Sequence, residues 1–137
     1  MKRQVLVDTG PLVAIFSQRD NAHESCITTL EQLSPPLITT WPVLTETAHF
    51  IRSYPGAVLN LLNSTLNGLF DVKELGPAAT SWMLNYLKKY QDRKVSLADA
   101  SLVYLAELND LDTVFTLDRK DFLIYRTLTN RRLQIVP

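Results

Sequence analysis

The chain has 137 residues, of which 46% are hydrophobic and 20% are charged, proportions typical of one globular domain that buries its own core. Its 14 basic residues balance its 14 acidic residues, so no overall field draws it to nucleic acid or anionic lipid, and a polyanion site would have to be local. We therefore predict a single folded domain over residues 1–137 and exclude disorder as its main state.

The cysteine content and the hydropathy bear on the compartment of the protein. Cys26 is the single cysteine and cannot form an internal disulfide, and the apolar run before Asp8 is too short for a signal peptide. No stretch approaches the roughly 18 uninterrupted apolar residues that a membrane span requires. We expect a cytoplasmic protein with no membrane-spanning segment.

Taken in chain order, short apolar runs alternate with helical patterns. The first run ends abruptly at Asp8, and Pro11 falls in the first turn of the helix that follows, where its missing N–H is harmless. The predicted strands are 4–7, 37–39, 69–75, 113–117 and 133–136. The predicted helices are 12–16, 22–33, 43–53, 57–67, one opened by Pro77, and one that begins at Ser96 with an apolar face of Leu97, Leu102, Leu105 and Leu108.

This alternation predicts an α/β fold with a parallel sheet covered on both faces. Ligands of such sheets bind beyond the carboxyl ends of the strands, where the strand order reverses. Asp8 and Asp118 each follow a predicted strand, so both carboxylates are expected at the same edge of the sheet. An isolated Asp in that position more often starts a turn or caps a helix, but two occurrences weaken that explanation.

Two further acids lie near the starts of helices. Glu46 stands one turn into an otherwise apolar helix, on the side expected to turn toward the core, and a buried Glu needs a partner or a metal. A partly exposed helix position explains Glu46 nearly as well. Asp99 follows Ser96 in a capping-box-like pattern, in which Ser96 caps the helix and Asp99 favours its positive end.

Together the four acids favour a metal site. Carboxylates packed together repel and raise each other's pKa, so such a cluster is costly unless a divalent cation neutralises it. Oxygen ligands suit Mg²⁺ or Mn²⁺, which keep several waters and can share a site with substrate phosphates. The chemistry implied is hydrolysis of phosphodiester bonds, in which the acids are ligands and not nucleophiles.

The segments around these acids form an ordered set. They are Val7-Asp8-Thr9-Gly10-Pro11-Leu12, Trp41-Pro42-Val43-Leu44-Thr45-Glu46, Leu97-Ala98-Asp99-Ala100-Ser101-Leu102 and Thr116-Leu117-Asp118-Arg119-Lys120-Asp121-Phe122. In order and spacing, this set resembles the four signature segments of PIN-domain ribonucleases, especially the bacterial VapC-type toxins. Each segment alone is weak, but four in order over most of the chain are specific.

This resemblance implies a PIN-like three-layer α/β sandwich with a central parallel sheet flanked by helices. It implies a ribonuclease, the toxin of a toxin-antitoxin system, with an RNA substrate, a cognate antitoxin and a homodimeric assembly. The catalytic, metal-binding acids would be Asp8, Glu46, Asp99 and Asp118, holding Mg²⁺ or Mn²⁺. Residues that support them or bind substrate would be Thr9, Thr116, Asp121 and Arg119, with Asp121 a second candidate for the position of Asp118.

Other interpretations stay open beside this one. The same fold can serve as a catalytically inert binding or scaffold module. A receiver-like domain also binds Mg²⁺ in an acidic pocket, although the order of the acids here does not match that class. A zinc site is not expected, because His23 and His49 have no Cys partner at ligand spacing.

Aromatic, basic and apolar patterns complete the set of candidates. Trp82, Tyr86 and Tyr90 recur every four residues, which is more typical of packing than of a base-stacking platform. The helices over 43–53 and 57–67 carry more apolar surface than one small sheet can cover, which favours contact with a second chain. The basic residues that could grip substrate phosphates are Arg19, Lys94, Arg119 and Lys120.

Overall fold

The computed structural model describes residues 4–136, in which five strands form one sheet. The strands are β1 (Leu6–Val7), β2 (Leu37–Thr39), β3 (Phe70–Val72), β4 (Thr113–Phe115) and β5 (Gln134–Val136). The helices are α1 (Thr9–Phe16), α2 (His23–Gln32), α3 (Trp41–Ile51), α4 (Ala57–Leu66), α5 (Ala79–Lys89), α6 (Leu97–Leu108) and α7 (Arg119–Ile124).

The sheet is parallel throughout, with strand order β3-β2-β1-β4-β5. From β1 the chain builds β2 and β3 on one side and then returns to build β4 and β5 on the other side. The strand order therefore reverses between β1 and β4, which is where open α/β sheets bind ligands. Both residues of β1 are fully buried, and because neighbouring strand residues face opposite sides, both faces of the sheet are covered.

The predicted parallel α/β architecture is confirmed, and most boundaries agree within two or three residues. Helix α3 begins at Trp41, two residues earlier than predicted, because the Thr40 hydroxyl accepts a hydrogen bond from the Val43 N–H at 3.3 Å and Pro42 fits the first turn. Strand β4 ends at Phe115, so Asp118 stands three residues beyond the strand and not directly after it. Helix α7 was not predicted from the sequence.

Helix α6 corrects the predicted apolar face. Leu102 and Leu105 are buried as expected, but Leu97 and Leu108 are each 58% exposed. The helix contacts α3, α5 and β1, so it is enclosed on most sides and its alanines, as well as its leucines, are buried. A pattern that assumes one apolar stripe fails for a helix surrounded by other elements.

The core is continuous around the sheet and includes Cys26, whose thiol pKa is raised by burial.

In residues 4–136, no helix combines the length and the apolar character needed to cross a bilayer.

Candidate active site

Asp8 stands at the point where the strand order reverses. Its N–H donates to the Phe115 carbonyl of the neighbouring strand at 3.0 Å, and its side chain precedes the first turn of α1. The residue is only 5% exposed. One carboxylate oxygen, Oδ2, accepts a hydrogen bond from the Thr116 hydroxyl at 2.8 Å, whereas the buried Oδ1 has no partner among the described residues.

Thr116 connects the first acid to the last. Its hydroxyl donates to Asp8 and accepts a hydrogen bond from the Asp118 N–H at 3.0 Å. Thr116 is buried beyond the end of β4, the strand that pairs with β1. A single hydroxyl therefore fixes the relative positions of two acids that are 110 residues apart in the sequence.

Asp118 and Asp121 both lie at the start of α7, but their carboxylates have different partners. The Asp118 side chain caps this helix, because its Oδ1 accepts the Asp121 N–H at 3.1 Å. The Asp121 carboxylate forms an ion pair with Arg93 at 3.3 Å, and burial together with neighbouring Asp118 raises its pKa. Since Asp121 already has a cationic partner, Asp118 is the better candidate for a metal ligand.

Asp99 belongs to the first turn of α6. The predicted cap is confirmed, because the Ser96 hydroxyl accepts the Asp99 N–H at 3.0 Å. This bond uses only the backbone of Asp99. Its carboxylate Oδ2 accepts a separate hydrogen bond from the Tyr125 hydroxyl at 3.2 Å, a contact that nothing in the local sequence indicated.

Glu46 lies in the middle of α3 and is half-buried. The expectation that it would turn into the core is wrong, and a partly exposed helix position describes its burial better. A hydrogen bond of 2.7 Å between the buried hydroxyl oxygens of Thr40 and Ser101 connects the start of α3 to α6, the helix that carries Asp99.

All four predicted acids line one cavity of about 580 Å³. Burial and then the neighbouring carboxylates raise the pKa of Asp99 to about 7. Burial also raises the pKa of Asp8 to about 6, although the Thr116 hydrogen bond acts in the opposite direction. The remaining lining residues are Thr9, Gly10, Val13, Asp20, Phe50, Lys94, Ser96, Leu117 and Asp121. We call this the acidic cavity.

The acidic cavity fits a hard divalent cation by its chemistry. Its donors are carboxylate oxygens, and one buried oxygen of Asp8 lacks any partner, an unfavourable arrangement that a cation would relieve. In residues 4–136, no three Asp, Glu, His or Cys side chains are already grouped closely enough to hold a metal ion. The acids therefore surround the cavity without enclosing a cation as they stand.

The residues predicted to support the acids or to bind substrate do not all line the acidic cavity. Thr9 is buried beside Asp8, and its hydroxyl has no partner within residues 4–136. Arg119 is exposed at the start of α7 and does not line the acidic cavity. Of the basic candidates, only Lys94 lines it, whereas Arg19 lines a different depression next to Tyr54.

A second, apolar depression adjoins the acidic cavity. It has a volume of about 930 Å³ and shares Glu46 and Phe50 with the acidic cavity. Its large side chains Trp41 and Leu97 are more than half exposed.

The aromatic residues of α5 take part in packing, as predicted. We call Trp82, Tyr86, Tyr90, Phe122 and Tyr125 the aromatic cluster. Trp82 stacks on Tyr86 with ring centroids 4.9 Å apart, and Tyr86 contacts Tyr90 at 4.8 Å. Tyr86 is fully buried, so these rings do not form an open platform for bases.

Comparisons with known proteins agree with the fold. The PIN domain family model matches residues 5–127. The chain is 26% identical over 135 residues to Ribonuclease VapC26 of Mycobacterium tuberculosis, covering 97% of this chain and 100% of that protein. The fold is similar to the crystal structure of Mycobacterium tuberculosis VapC20, a toxin that cleaves the sarcin-ricin loop, with a TM-score of 0.74, 18% identity, and coverage of 81% of this chain and 87% of that chain.

Proposed function

The chain belongs to the PIN-domain family, and we propose on this basis that it is a ribonuclease that hydrolyses RNA phosphodiester bonds with Mg²⁺ or Mn²⁺. The observation that carries the proposal is the acidic cavity, which four acids from distant parts of the chain line together near the point where the strand order of the sheet reverses. The similarity to Ribonuclease VapC26 along nearly the whole chain supports the substrate class. We further propose that the chain is one PIN-like domain acting in the cytoplasm.

The residues that would hold the cation are Asp8, Glu46, Asp99 and Asp118. When bound, a divalent ion supplies an activated water at neutral pH and stabilises negative charge on the phosphate and the leaving oxygen. Asp8 offers its free Oδ1 because Thr116 occupies the other oxygen. Thr116 thus presents Asp8 to the cavity in one orientation.

Lys94 is our candidate for holding the substrate phosphate. It is the one basic side chain among the residues that line the acidic cavity in the described part of the chain. An ammonium group next to several carboxylates offsets part of their repulsion of a polyanion, and it can pair with a phosphate oxygen. Arg93, the preceding basic residue, is engaged by Asp121, which leaves Lys94 for this role.

The cleavage test compares three proteins on a labelled single-stranded RNA. The wild type is expected to cleave with Mn²⁺ or Mg²⁺ and to stop when a chelator is added. A variant carrying both Asp8→Asn and Asp99→Asn should lose activity by at least about a hundredfold, since it lacks two of the proposed ligands. The control Asp92→Asn removes an exposed acid outside the acidic cavity and should cleave like the wild type. Equal cleavage by the double variant would refute the proposed site.

We also propose that the protein is the toxin of a toxin-antitoxin pair and forms a homodimer. The dimer is supported by Leu59, Leu62 and Leu66, which lie on one face of α4 and stay exposed, Leu66 by 84%. Light scattering should give about twice 15.6 kDa for the wild type. The control Leu84→Glu, at an exposed position of α5, should give the same mass, whereas Leu59→Glu should give a monomer. A monomeric mass for the wild type at every concentration would exclude the dimer.

The antitoxin is expected to place a basic tail in the acidic cavity. A guanidinium group can pair with two carboxylate oxygens at once and would compete there with the cation. Calorimetry should therefore show weaker binding of the cognate antitoxin to Asp8→Asn and Asp99→Asn than to Asp92→Asn. Equal affinity for all three variants would exclude insertion of the tail into this cavity.

A further inference from the structure

Tyr125 is the member of the aromatic cluster that donates a hydrogen bond to an acid of the acidic cavity. It directly follows the last residue of α7, and its N–H donates to the Asp121 carbonyl at 2.9 Å. Its ring packs edge-on against Phe122, Tyr90 and Tyr86, with centroid distances of 5.1, 5.6 and 6.2 Å. The residue is 1% exposed, so the ring has little freedom to change its orientation.

The hydroxyl groups of the three clustered tyrosines have different partners. That of Tyr125 donates to Asp99 Oδ2 at 3.2 Å. The Tyr90 hydroxyl accepts the Arg126 N–H at 2.9 Å, and the buried Tyr86 hydroxyl has no partner within residues 4–136. Only Tyr125 therefore connects this packed region to a proposed metal ligand.

For the Asp99 carboxylate, this hydrogen bond decides which oxygen stays free. Ser96 holds the Asp99 backbone but not its side chain. Tyr125 provides the one hydrogen bond that the described residues make to the carboxylate. A donor fixed by packing on one oxygen restricts rotation of the carboxylate and leaves Oδ1 available, as Thr116 does for Asp8.

We propose that Tyr125 is a positioning residue, which acts through Asp99 to prepare the acidic cavity for a divalent cation. This inference rests on the metal site of the proposed function. Hydrogen-bond partners of metal ligands commonly contribute tenfold to a hundredfold to metal affinity, because they fix the ligand before the ion arrives. Tyr125 would do so from a position 26 residues after the acid it orients.

The experiment measures Mn²⁺ binding to the metal-free protein by titration calorimetry. Tyr125→Phe keeps the buried ring and removes only the hydroxyl, and we expect it to bind Mn²⁺ about tenfold more weakly than the wild type. The matched control is Tyr86→Phe, which removes an unpartnered buried hydroxyl from the same cluster. This control is expected to bind Mn²⁺ like the wild type.

A second comparison places Tyr125→Phe in an Asp99→Asn background. If the hydroxyl acts through the Asp99 carboxylate, its removal there should cause less than a twofold further loss of Mn²⁺ affinity. Equal binding by Tyr125→Phe and wild type would overturn the inference while leaving the metal site intact. An equal loss in Tyr86→Phe would overturn it in favour of general packing. No Mn²⁺ binding by the wild type would overturn both the inference and the proposed metal site.

Discussion

In the acidic cavity, carboxylates raise the pKa of one another, whereas in the aromatic cluster the rings contact each other and cover the end of α7. The two regions meet at the hydrogen bond between Tyr125 and Asp99. Each is built from side chains contributed by several parts of the chain, so the difference lies in the chemistry of those side chains.

This difference separates the parts of the molecule that stabilise the fold from those that weaken it. Buried aromatic rings contribute to stability through the surface they remove from water and through their edge contacts. Clustered carboxylates oppose folding, and a site of this kind persists because the surrounding packing holds it in place. Substitutions in the aromatic cluster and in the acidic cavity should therefore change stability in opposite directions.

The largest effect is expected from opening the aromatic cluster. Phe122 is fully buried and packs against Tyr125 at 5.1 Å, so Phe122→Ala should lower the free energy of unfolding by about 3–5 kcal/mol. Urea denaturation measures this loss, and Leu108→Ala at an exposed position of α6 should change stability by less than about 0.5 kcal/mol. A cost below about 1 kcal/mol for Phe122→Ala would show that the cluster does not support the fold.

Removing a negative charge from the metal-free acidic cavity should instead raise the free energy of unfolding. Because burial raises the pKa of Asp8 from 3.8 to about 6, folded protein holds this proton more tightly than unfolded protein does. In chelator, the wild type should therefore lose stability as the pH rises from about 4 to about 6, and then level off for this group. Asp8→Asn lacks this titration.

The measurement is the stability of Asp8→Asn minus that of the wild type at several pH values. The difference should grow by about 3 kcal/mol across that window, at about 1.4 kcal/mol for each pKa unit. Asp92→Asn, which changes an exposed acid, should show no such trend. A flat difference for Asp8→Asn would mean that the Asp8 charge does not destabilise the folded protein.

The smallest effect concerns the cap that places Asp99. Ser96→Ala removes the side-chain acceptor of the Asp99 N–H and should lower thermal stability by about 1 kcal/mol. Ser25→Ala, at an exposed position on α2, serves as the control. Asp99→Asn keeps this backbone bond, so in chelator it should be more stable than Ser96→Ala. The reverse order would contradict the claim that the cap uses the backbone of Asp99 and not its carboxylate.

Much of the site could be predicted because acids that follow parallel strands emerge at one edge. This argument placed Asp8 and Asp118 at that edge from the sequence, and the helix patterns put forward Glu46 and Asp99. The resemblance to PIN-domain ribonucleases then implied that all four bind the metal. All four line the acidic cavity. Their role as metal ligands stays a prediction.

The contacts that orient the acids depend on tertiary structure and were beyond the sequence. Tyr125 follows a six-residue helix that has no periodicity long enough to detect. Its bond to Asp99 depends on how Tyr125 itself packs against Tyr86 of α5 and reaches Asp99 of α6. The predicted apolar face of α6 failed for a related reason, because enclosure by neighbouring elements overrides a simple helical stripe.

The central claim is that a divalent cation compensates the repulsion in the acidic cavity, and a thermal melt tests it most directly. A ligand that binds only folded protein at 100 times its Kd adds about 2.7 kcal/mol to stability. Metal-free wild type should therefore melt several degrees higher after Mn²⁺ is added, while the double variant Asp8→Asn with Asp99→Asn should melt at one temperature with or without Mn²⁺. The account would be contradicted if Mn²⁺ left the wild-type melting temperature unchanged, or raised it equally in the double variant.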